Sequence, residues 1–408
     1  MYLREFTIHN IMGIERFHIT FKKPHISGWH VLIGENGSGK TTILKSLAVA
    51  LLGEKFKPFF SGDDIRRAGA SESSIEIKLL ATEFDETPSQ PIAVRFFKKS
   101  EGNGAHSQTQ ALKELSSAVK MVLENTFSAG YGTNRSFKGT DDDLFKQNGI
   151  RNFQTLLRDQ QGLASVNVWF KDRIIELQVK DPSVKKQAEI LLSTIRVLIN
   201  KSGILPKGFQ MLAEVTPDGP MVSDPNSYES PAQSMSDGIR SMLALTLDIL
   251  INMSNFYTFD RFEAAIDREL GSLNLHGIVL IDEIDAHLHP SWQTKIGTHL
   301  MKLFPKVQFI VTTHSPLICR AAERGSIWKL PALGSGGQAE EITGEAKNKL
   351  VYGDILQALG TELFGTEAPQ SSKGIEMEEE LSTLESKEIV QKLSKEERKR
   401  LKDLQAIF

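Results

Sequence analysis

Three stretches of the chain are apolar with almost no polar interruption: 29–34 (WHVLIG), 277–282 (GIVLID) and 307–313 (VQFIVTT). A strand with one wet face alternates apolar and polar residues, so unbroken runs predict strands covered on both faces, as in a mostly parallel sheet. Between the second and third runs, Trp292, Ile296, Leu300 and Leu303 recur at helical spacing behind a start signal at Pro290 and Ser291. The order strand, helix, strand predicts a parallel βαβ unit. Ahead of the first run, 2–9 and 15–21 are rich in β-branched and aromatic residues around a turn at Gly13, and predict paired strands near a sheet edge.

The pattern changes between 101 and 235, where a mainly helical insertion is predicted that includes 155–179 and 182–200. No long a/d heptad run occurs there, which excludes a coiled-coil arm. The long apolar run 242–253 reads as a buried helix and carries one acidic residue, Asp248. Residues 331–346 (PALGSGGQAEEITGEA) read as a Gly-rich linker. The tail 374–408 sets Leu381, Leu384, Leu393, Leu401 and Leu404 among charges, and Ser394 with Glu397 forms a capping box for a final helix. It reads as an amphipathic helix pair.

Composition narrows this picture only modestly. With 408 residues, 40% hydrophobic and 24% charged, the chain can bury a sizeable core. A formal net charge of −3 gives no global attraction to nucleic acid or anionic membrane, so any DNA contact must be local. A single cysteine, Cys319, excludes an intrachain disulfide and a Cys-rich zinc module, and reads as a small buried apolar residue. The start MYLREFTIHN lacks the apolar centre of a signal peptide. The expectation is a soluble cytoplasmic protein with no membrane partner.

The first chemical motif is GENGSGKT, Gly34–Thr41, between a buried strand and the helical TILKSLAVALL. It matches the P-loop pattern in the context that gives the pattern meaning. Gly34, Gly37 and Gly39 allow a tight bend whose successive N–H groups face one anion. Lys40 is then expected at the β and γ phosphates, and the Thr41 hydroxyl at Mg²⁺. Glu35, Asn36, Ser38 and Thr42 complete the predicted nucleotide-binding set.

The second motif is IVLIDEIDAHLHP, 278–290. A carboxylate at the end of a buried strand needs a cationic partner, and for Asp282 that partner is Mg²⁺ shared with Thr41. Glu283 follows as the general base that polarises water. His287 and His289 do not read as metal ligands, because Leu288 and Pro290 break helical spacing and no cysteine accompanies them. The third motif, VTTHSP (311–316), ends the next strand in His314, which would reach the same crevice and donate to the γ-phosphate. A fourth stretch, QSMSDGIRSML (233–243), starts the buried helix with Ser236 and Gly238, suited to an anion although no lysine is near.

A P-loop, then Ser-x-Gly, then Asp-Glu, then His is the order found in ABC-type ATPases. NIMGIERFHITF…GENGSGKTTIL and IDEIDAHLHPSW…THSP resemble the RecF, SMC and OLD branch of that superfamily, over roughly 1–75 and 230–330. The resemblance implies an α/β fold, an ABC-type P-loop NTPase with a mostly parallel central sheet, an N-terminal antiparallel β lobe and an inserted helical lobe. Its parts would be 1–100 (β lobe and P-loop), 101–235 (insertion), 236–330 (second half of the core) and 331–408 (linker and helical tail).

The resemblance further implies ATP and Mg²⁺, and a homodimer closed head to tail through ATP, so that Ser236 and Gly238 of one subunit meet the γ-phosphate held by the P-loop of the other. Higher homo-oligomers are compatible with this. By the same resemblance GYGTNR (130–135) is the loop that senses Mg²⁺ and γ-phosphate, through Arg135 or through Gln160 or Gln161. The family's basic turn is replaced by Asn10, Ile11 and Met12, and the transporter-type aspartate by His289.

Beyond Ser315 the only aspartates are Asp354 and Asp403 and no histidine occurs, which argues against a TOPRIM or HNH nuclease centre. The chain most resembles stand-alone ATPase subunits of bacterial anti-phage systems, Septu-type and retron-associated, which act with a separately encoded nuclease or toxin. A RecF-like repair or DNA-clamp ATPase is the alternative, with DNA as partner through Arg95, Lys98 and Lys99; a transporter subunit is disfavoured by HLHP and by the lack of a membrane-coupling segment.

Overall fold

The computed structural model describes residues 1–56, 67–70, 72–82, 92–97, 123–137, 150–158, 162–163, 165–216, 219–332, 337–353, 372–391 and 393–405. In β1 (Tyr2–Ile11) Phe6 and Ile8 are buried while Glu5 and Thr7 are not, so one face is covered. β2 (Ile14–Thr20) returns antiparallel with Phe6 opposite Ile19 and Ile8 opposite Phe17. β3 (Trp29–Ile33) is buried at every position and leaves this layer for a second sheet. β4 (Glu72–Leu80) and β5 (Ile92–Phe97) complete the first sheet in the order β2-β1-β4-β5. The antiparallel N-terminal lobe is therefore present as expected.

The second sheet is built from strands far apart in sequence. β6 (Ser128–Tyr131) is its edge, and β7 (Gln210–Thr216), β8 (Gly219–Ser223) and β9 (Glu229–Pro231) form a separate antiparallel sheet. After a short hairpin of β10 (Ile266–Asp267) and β11 (Ser272–Leu273) come β12 (Gly277–Ile281), β13 (Val307–Thr313), β14 (Gly325–Lys329) and β15 (Glu340–Ile342). The main sheet runs β15-β14-β3-β13-β12-β6, and all its pairings are parallel except β14 with β15. β12, the helices Pro290–Gln293 and Ile296–Leu303, and β13 form the βαβ unit. The P-loop helix Lys40–Leu52 lies between the layers: Leu44 and Leu47 share a hydrophobic cluster with Phe6, Ile8, Ile75 and Ile77 of the first sheet and Leu32, Leu280 and Ile310 of the second.

Two expectations need correction. The segment 101–235 contains the helices Gln154–Leu157, Ser165–Leu177 and Pro182–Ser202, but it also supplies β6 to the core sheet and the whole of β7–β9. SAGY is too short to display an alternation, and β7 has only Met211 buried, so neither carries the apolar pattern of a strand. The Gly-rich stretch 331–346 is also more than a linker. β15 pairs there with β14, and the helix Gly344–Tyr352 follows, with Leu350 and Val351 buried.

The chain divides into two compact units, Met1–Ala358 and Leu359–Phe408. In the second, the helices Ser372–Val390 and Lys395–Gln405 bury Leu384, Leu393, Leu401 and Leu404 between them. Its capping box has both arms, Glu397 N donating to Ser394 Oγ at 3.1 Å and Ser394 N to Glu397 Oε2 at 2.8 Å.

Candidate functional site

Because β3, β13 and β12 are parallel neighbours, the residues that follow each of them emerge along one sheet edge. After β3 comes the P-loop. Gly37 and Gly39 have φ of 81° and 89°, a left-handed conformation that glycine adopts without steric cost. Lys40, mostly buried, curls back over its own loop and donates from Nζ to the carbonyls of Gly34 and Glu35, each at 2.8 Å. Burial lowers its pKa, while Glu283, Asp282 and Asp285 act in the opposite sense. Among the described residues the buried Ser38 hydroxyl has no hydrogen-bond partner. A buried donor without a partner, a lysine and a helix N-terminus on one loop fit a phosphate chain.

After β12 comes Asp282, which is 4% exposed. Its Oδ2 accepts from Thr41 Oγ1 at 2.6 Å and its Oδ1 from Thr312 Oγ1 at 2.5 Å. The Thr312 oxygen also accepts the Glu283 N–H at 2.7 Å, so one hydroxyl on β13 ties down both acidic residues. A hydroxyl and one carboxylate suit Mg²⁺ completed by substrate oxygens and water, in contrast to a closed protein cage. Among the described residues no group of three or more His, Cys, Asp or Glu is arranged to hold a metal ion. His289 caps the helix Pro290–Gln293, accepting from the Ser291 N–H.

Glu283 has φ of 44°, a left-handed position for a residue with a side chain, and its carboxylate is part-exposed. His314, the residue after β13, puts Nε2 at 3.8 Å from Glu283 Oε1. A second chain of hydrogen bonds holds the His314 neighbourhood: Thr313 Oγ1 donates to Asp285 Oδ1 at 2.5 Å and Ser315 Oγ to Gln293 Oε1 at 2.6 Å. The structure therefore brings Lys40, Thr41, Asp282, Glu283 and His314 to one place.

Arg135 is placed differently from the phosphate contact expected of it. It lies buried under the Asp282–Ile284 turn with its guanidinium donating to protein carbonyls. Gln160, Gln161, Lys98 and Lys99 lie outside the described residues, as does the side chain of Arg95. Ser236, exposed, is the N-cap of the helix Asp237–Phe256 but gives it no side-chain capping bond. Gly238 passes close to the His287–Leu288 backbone, where a Cβ would meet the His287 carbonyl oxygen at 3.1 Å. Among the described residues no hydrogen bond joins Ser236 or Gly238 to Lys40, Thr41, Asp282, Glu283 or His314. Farther along this helix, Asp248 is buried against Tyr131 Oη at 2.9 Å, Asn252 Nδ2 at 2.6 Å and the Ser165 hydroxyl. Burial raises its pKa.

Thr312 and the role of Arg135 escaped the sequence reading. Both depend on which carbonyl or carboxylate lies opposite across the sheet, and the adjacent TT in VTTHSP was the available signal for Thr312.

Comparison with known proteins gives a family match over residues 30–320, to the model described as "AAA domain, putative AbiEii toxin, Type IV TA system". Septu protein PtuA of Bacillus mycoides (strain KBAB4) is 29% identical over 341 residues, which is 80% of this chain and 40% of that protein. "Retron Ec83 probable ATPase" of Escherichia coli is 40% identical over 110 residues, 27% of this chain and 19% of that one. The chain thus spans well under half the length of these two relatives. In fold it is similar to an SMC head solved bound to the C-winged helix domain of ScpA, with a TM-score of 0.51 at 15% identity, covering 86% of this chain and 100% of that one.

Proposed function

The chain belongs to this AAA-domain family, and on that premise we propose that it binds and hydrolyses ATP as the nucleotide-driven subunit of an anti-phage system. One observation carries the reading: Thr41, Asp282, Thr312 and Glu283 form a continuous hydrogen-bonded chain that joins the P-loop helix to the acidic strand end. Such a chain fixes a hydroxyl and a carboxylate side by side and sets a second carboxylate next to them.

The P-loop amides, Lys40 and Ser38 bind the phosphates, with Glu35, Asn36, Gly37, Gly39 and Thr42 on the same loop and helix start. Thr41 and Asp282 would hold Mg²⁺, which when bound supplies neutralisation of phosphate charge. Glu283 takes a proton from water, and its part-exposed carboxylate has the access that this requires. His314, within 4 Å of that carboxylate, donates toward the phosphate side.

Ser236 and Gly238 complete the site of a second copy of the chain in a head-to-tail homodimer. The support is that Ser236 is exposed, gives the helix no side-chain capping bond and, among the described residues, makes no bond to the catalytic group of its own protomer. Closure on ATP and opening after hydrolysis give two states, and these regulate a separately encoded nuclease or toxin. The names of the Septu and retron relatives support the defence context.

The test is steady-state hydrolysis and ATP binding by the full chain and by Glu283→Gln. Removing a general base lowers turnover by about 10²- to 10⁴-fold with ATP still bound. Wild-type-like turnover in the variant would take Glu283 out of the role, and affinity capture of ATP-loaded Glu283→Gln from native cells tests the effector.

A further inference from the structure

Consecutive carbonyls of an extended strand point in alternating directions, so they cannot converge on one side chain unless the chain turns. After β12 it turns sharply. Arg135 Nη2 donates to the carbonyls of Asp282 and of Glu283, the latter at 2.9 Å, and Nη1 reaches the Ile284 carbonyl at 3.4 Å. Its Nε donates at 2.9 Å to Gly132, at the end of β6. The Gly132 N–H is in turn received by Thr155 Oγ1 at 3.2 Å, which anchors the far side of the arginine to the helix Gln154–Leu157. A flat, five-donor fork can serve carbonyls in this arrangement, whereas an ammonium is a point charge on a flexible stem.

The residue at the centre of the clamp is the one with the unfavourable backbone, Glu283 at φ of 44°. From the other side, the Glu283 N–H is held by Thr312 Oγ1 at 2.7 Å, and Ile284 N donates to the Thr312 carbonyl at 3.0 Å. We infer that Arg135 is a positioning residue that keeps the Glu283 peptide in its left-handed turn, and so sets where the Glu283 carboxylate stands beside His314, without itself contacting nucleotide. The inference rests on the reading of Glu283 as the base. Burial lowers the Arg135 pKa to about 10, with Asp282, Asp285 and Glu283 opposing, so the clamp is cationic at neutral pH.

The experiment uses the full chain, with Arg135→Lys and Arg135→Ala made both alone and in the Glu283→Gln background. Amide hydrogen exchange over 282–288 is compared at equal global stability, with MgATP affinity and turnover measured alongside. Loosening of the turn gives at least about tenfold faster exchange over 282–288 in Arg135→Ala and an intermediate rate in Arg135→Lys. Turnover in Arg135→Ala falls about 100-fold with MgATP affinity nearly unchanged, and the loss disappears in the Glu283→Gln background because both changes disable one group. Should Arg135→Ala fail to fold, the Lys variant carries the same comparisons.

Unchanged exchange over 282–288 overturns the inference. So does weakened MgATP affinity at preserved turnover, or a loss that multiplies with that of Glu283→Gln, since either marks direct contact with nucleotide. Because exchange is read without turnover, a chain that hydrolyses no ATP yet loosens at 282–288 would remove the proposed function and leave the clamp standing.

Discussion

Thr41 and Asp282, 241 positions apart in the chain, meet through a hydrogen bond of 2.6 Å from the threonine hydroxyl to the carboxylate. The pair joins the first turn of the P-loop helix to the end of β12 and offers a divalent cation two hard oxygen donors. Asp282→Asn is expected to weaken ATP binding about tenfold or more in Mg²⁺ and little in EDTA. Titration of a fluorescent ATP analogue under both conditions checks this; equal losses in the two would assign Asp282 a purely structural part.

Lys40→Ala removes the P-loop cation, and Ser236→Arg blocks the exposed helix start. Each alone is expected to be inactive. On the proposed head-to-tail dimer, mixing them in equal amounts is expected to give heterodimers with one intact site and recovery of about a quarter of wild-type hydrolysis from random pairing. A mixture as silent as its components would argue for a site complete within one protomer.

The Thr312 hydroxyl serves both Asp282 and the Glu283 amide. Thr312→Val keeps the shape and leaves a buried acceptor and donor without their partner, for an expected loss of about 1–3 kcal/mol in stability by chemical denaturation. Thr312→Ser, which restores the oxygen, should recover most of it. A Val variant as stable as wild type would mean that water replaces the hydroxyl.

Asp248 is held by Tyr131, Asn252 and Ser165 at the junction of β6, the helix Ser165–Leu177 and the helix Asp237–Phe256. Its pKa is raised from the ordinary 3.8, chiefly by burial. A raised folded value means that folding favours the protonated form. Its contribution is therefore full below 3.8 and is lost as pH rises through the folded value. Asp248→Asn should abolish that slope, so the stability difference between wild type and variant falls with rising pH; a difference that stays flat would place the carboxylate in contact with water. Asp248→Leu instead leaves the partners unpaired, at about 1–3 kcal/mol for each.

In the C-terminal unit the Lys387 ammonium, with the Ser394 amide and hydroxyl, holds the Glu397 carboxyl at about 2, against an ordinary 4.5. A depressed value contributes stability above 4.5 that disappears as pH falls toward 2. Hydrogen exchange over Lys395–Gln405 should accelerate across that window in wild type and be pH-insensitive, beyond intrinsic rates, in Glu397→Gln. Identical profiles in the two would count against the capping box as the acid-sensitive element.

What could be read beforehand depended on whether a residue's role is local. β3, β12 and β13 are legible because each is buried on both faces and therefore apolar throughout, and the P-loop is legible because its spacing is itself the chemistry. β6 is not, since four residues of SAGY owe their strand to the β12 backbone beside them, and β15 hides in a Gly-rich, acidic context. At the site, Lys40, Thr41, Asp282, Glu283 and His314 are legible as motif positions that the fold brings together. Arg135 was expected to face a phosphate because the loop GYGTNR resembles the family's phosphate-sensing loop, whereas three carbonyls at 282–284 receive it instead.

The two neighbours of β3 in the main sheet are β13 and β14, which begin only at Val307 and Gly325. During synthesis the nucleotide loop leaves the ribosome early, but β3 gains one neighbour only when translation has passed residue 313 and the other only when it has passed residue 329. A nascent chain therefore completes this edge of the sheet late. An interrupted translation product that ends before β13 holds the first-sheet residues that cover the P-loop helix, but leaves β3 without either of its neighbours in the main sheet.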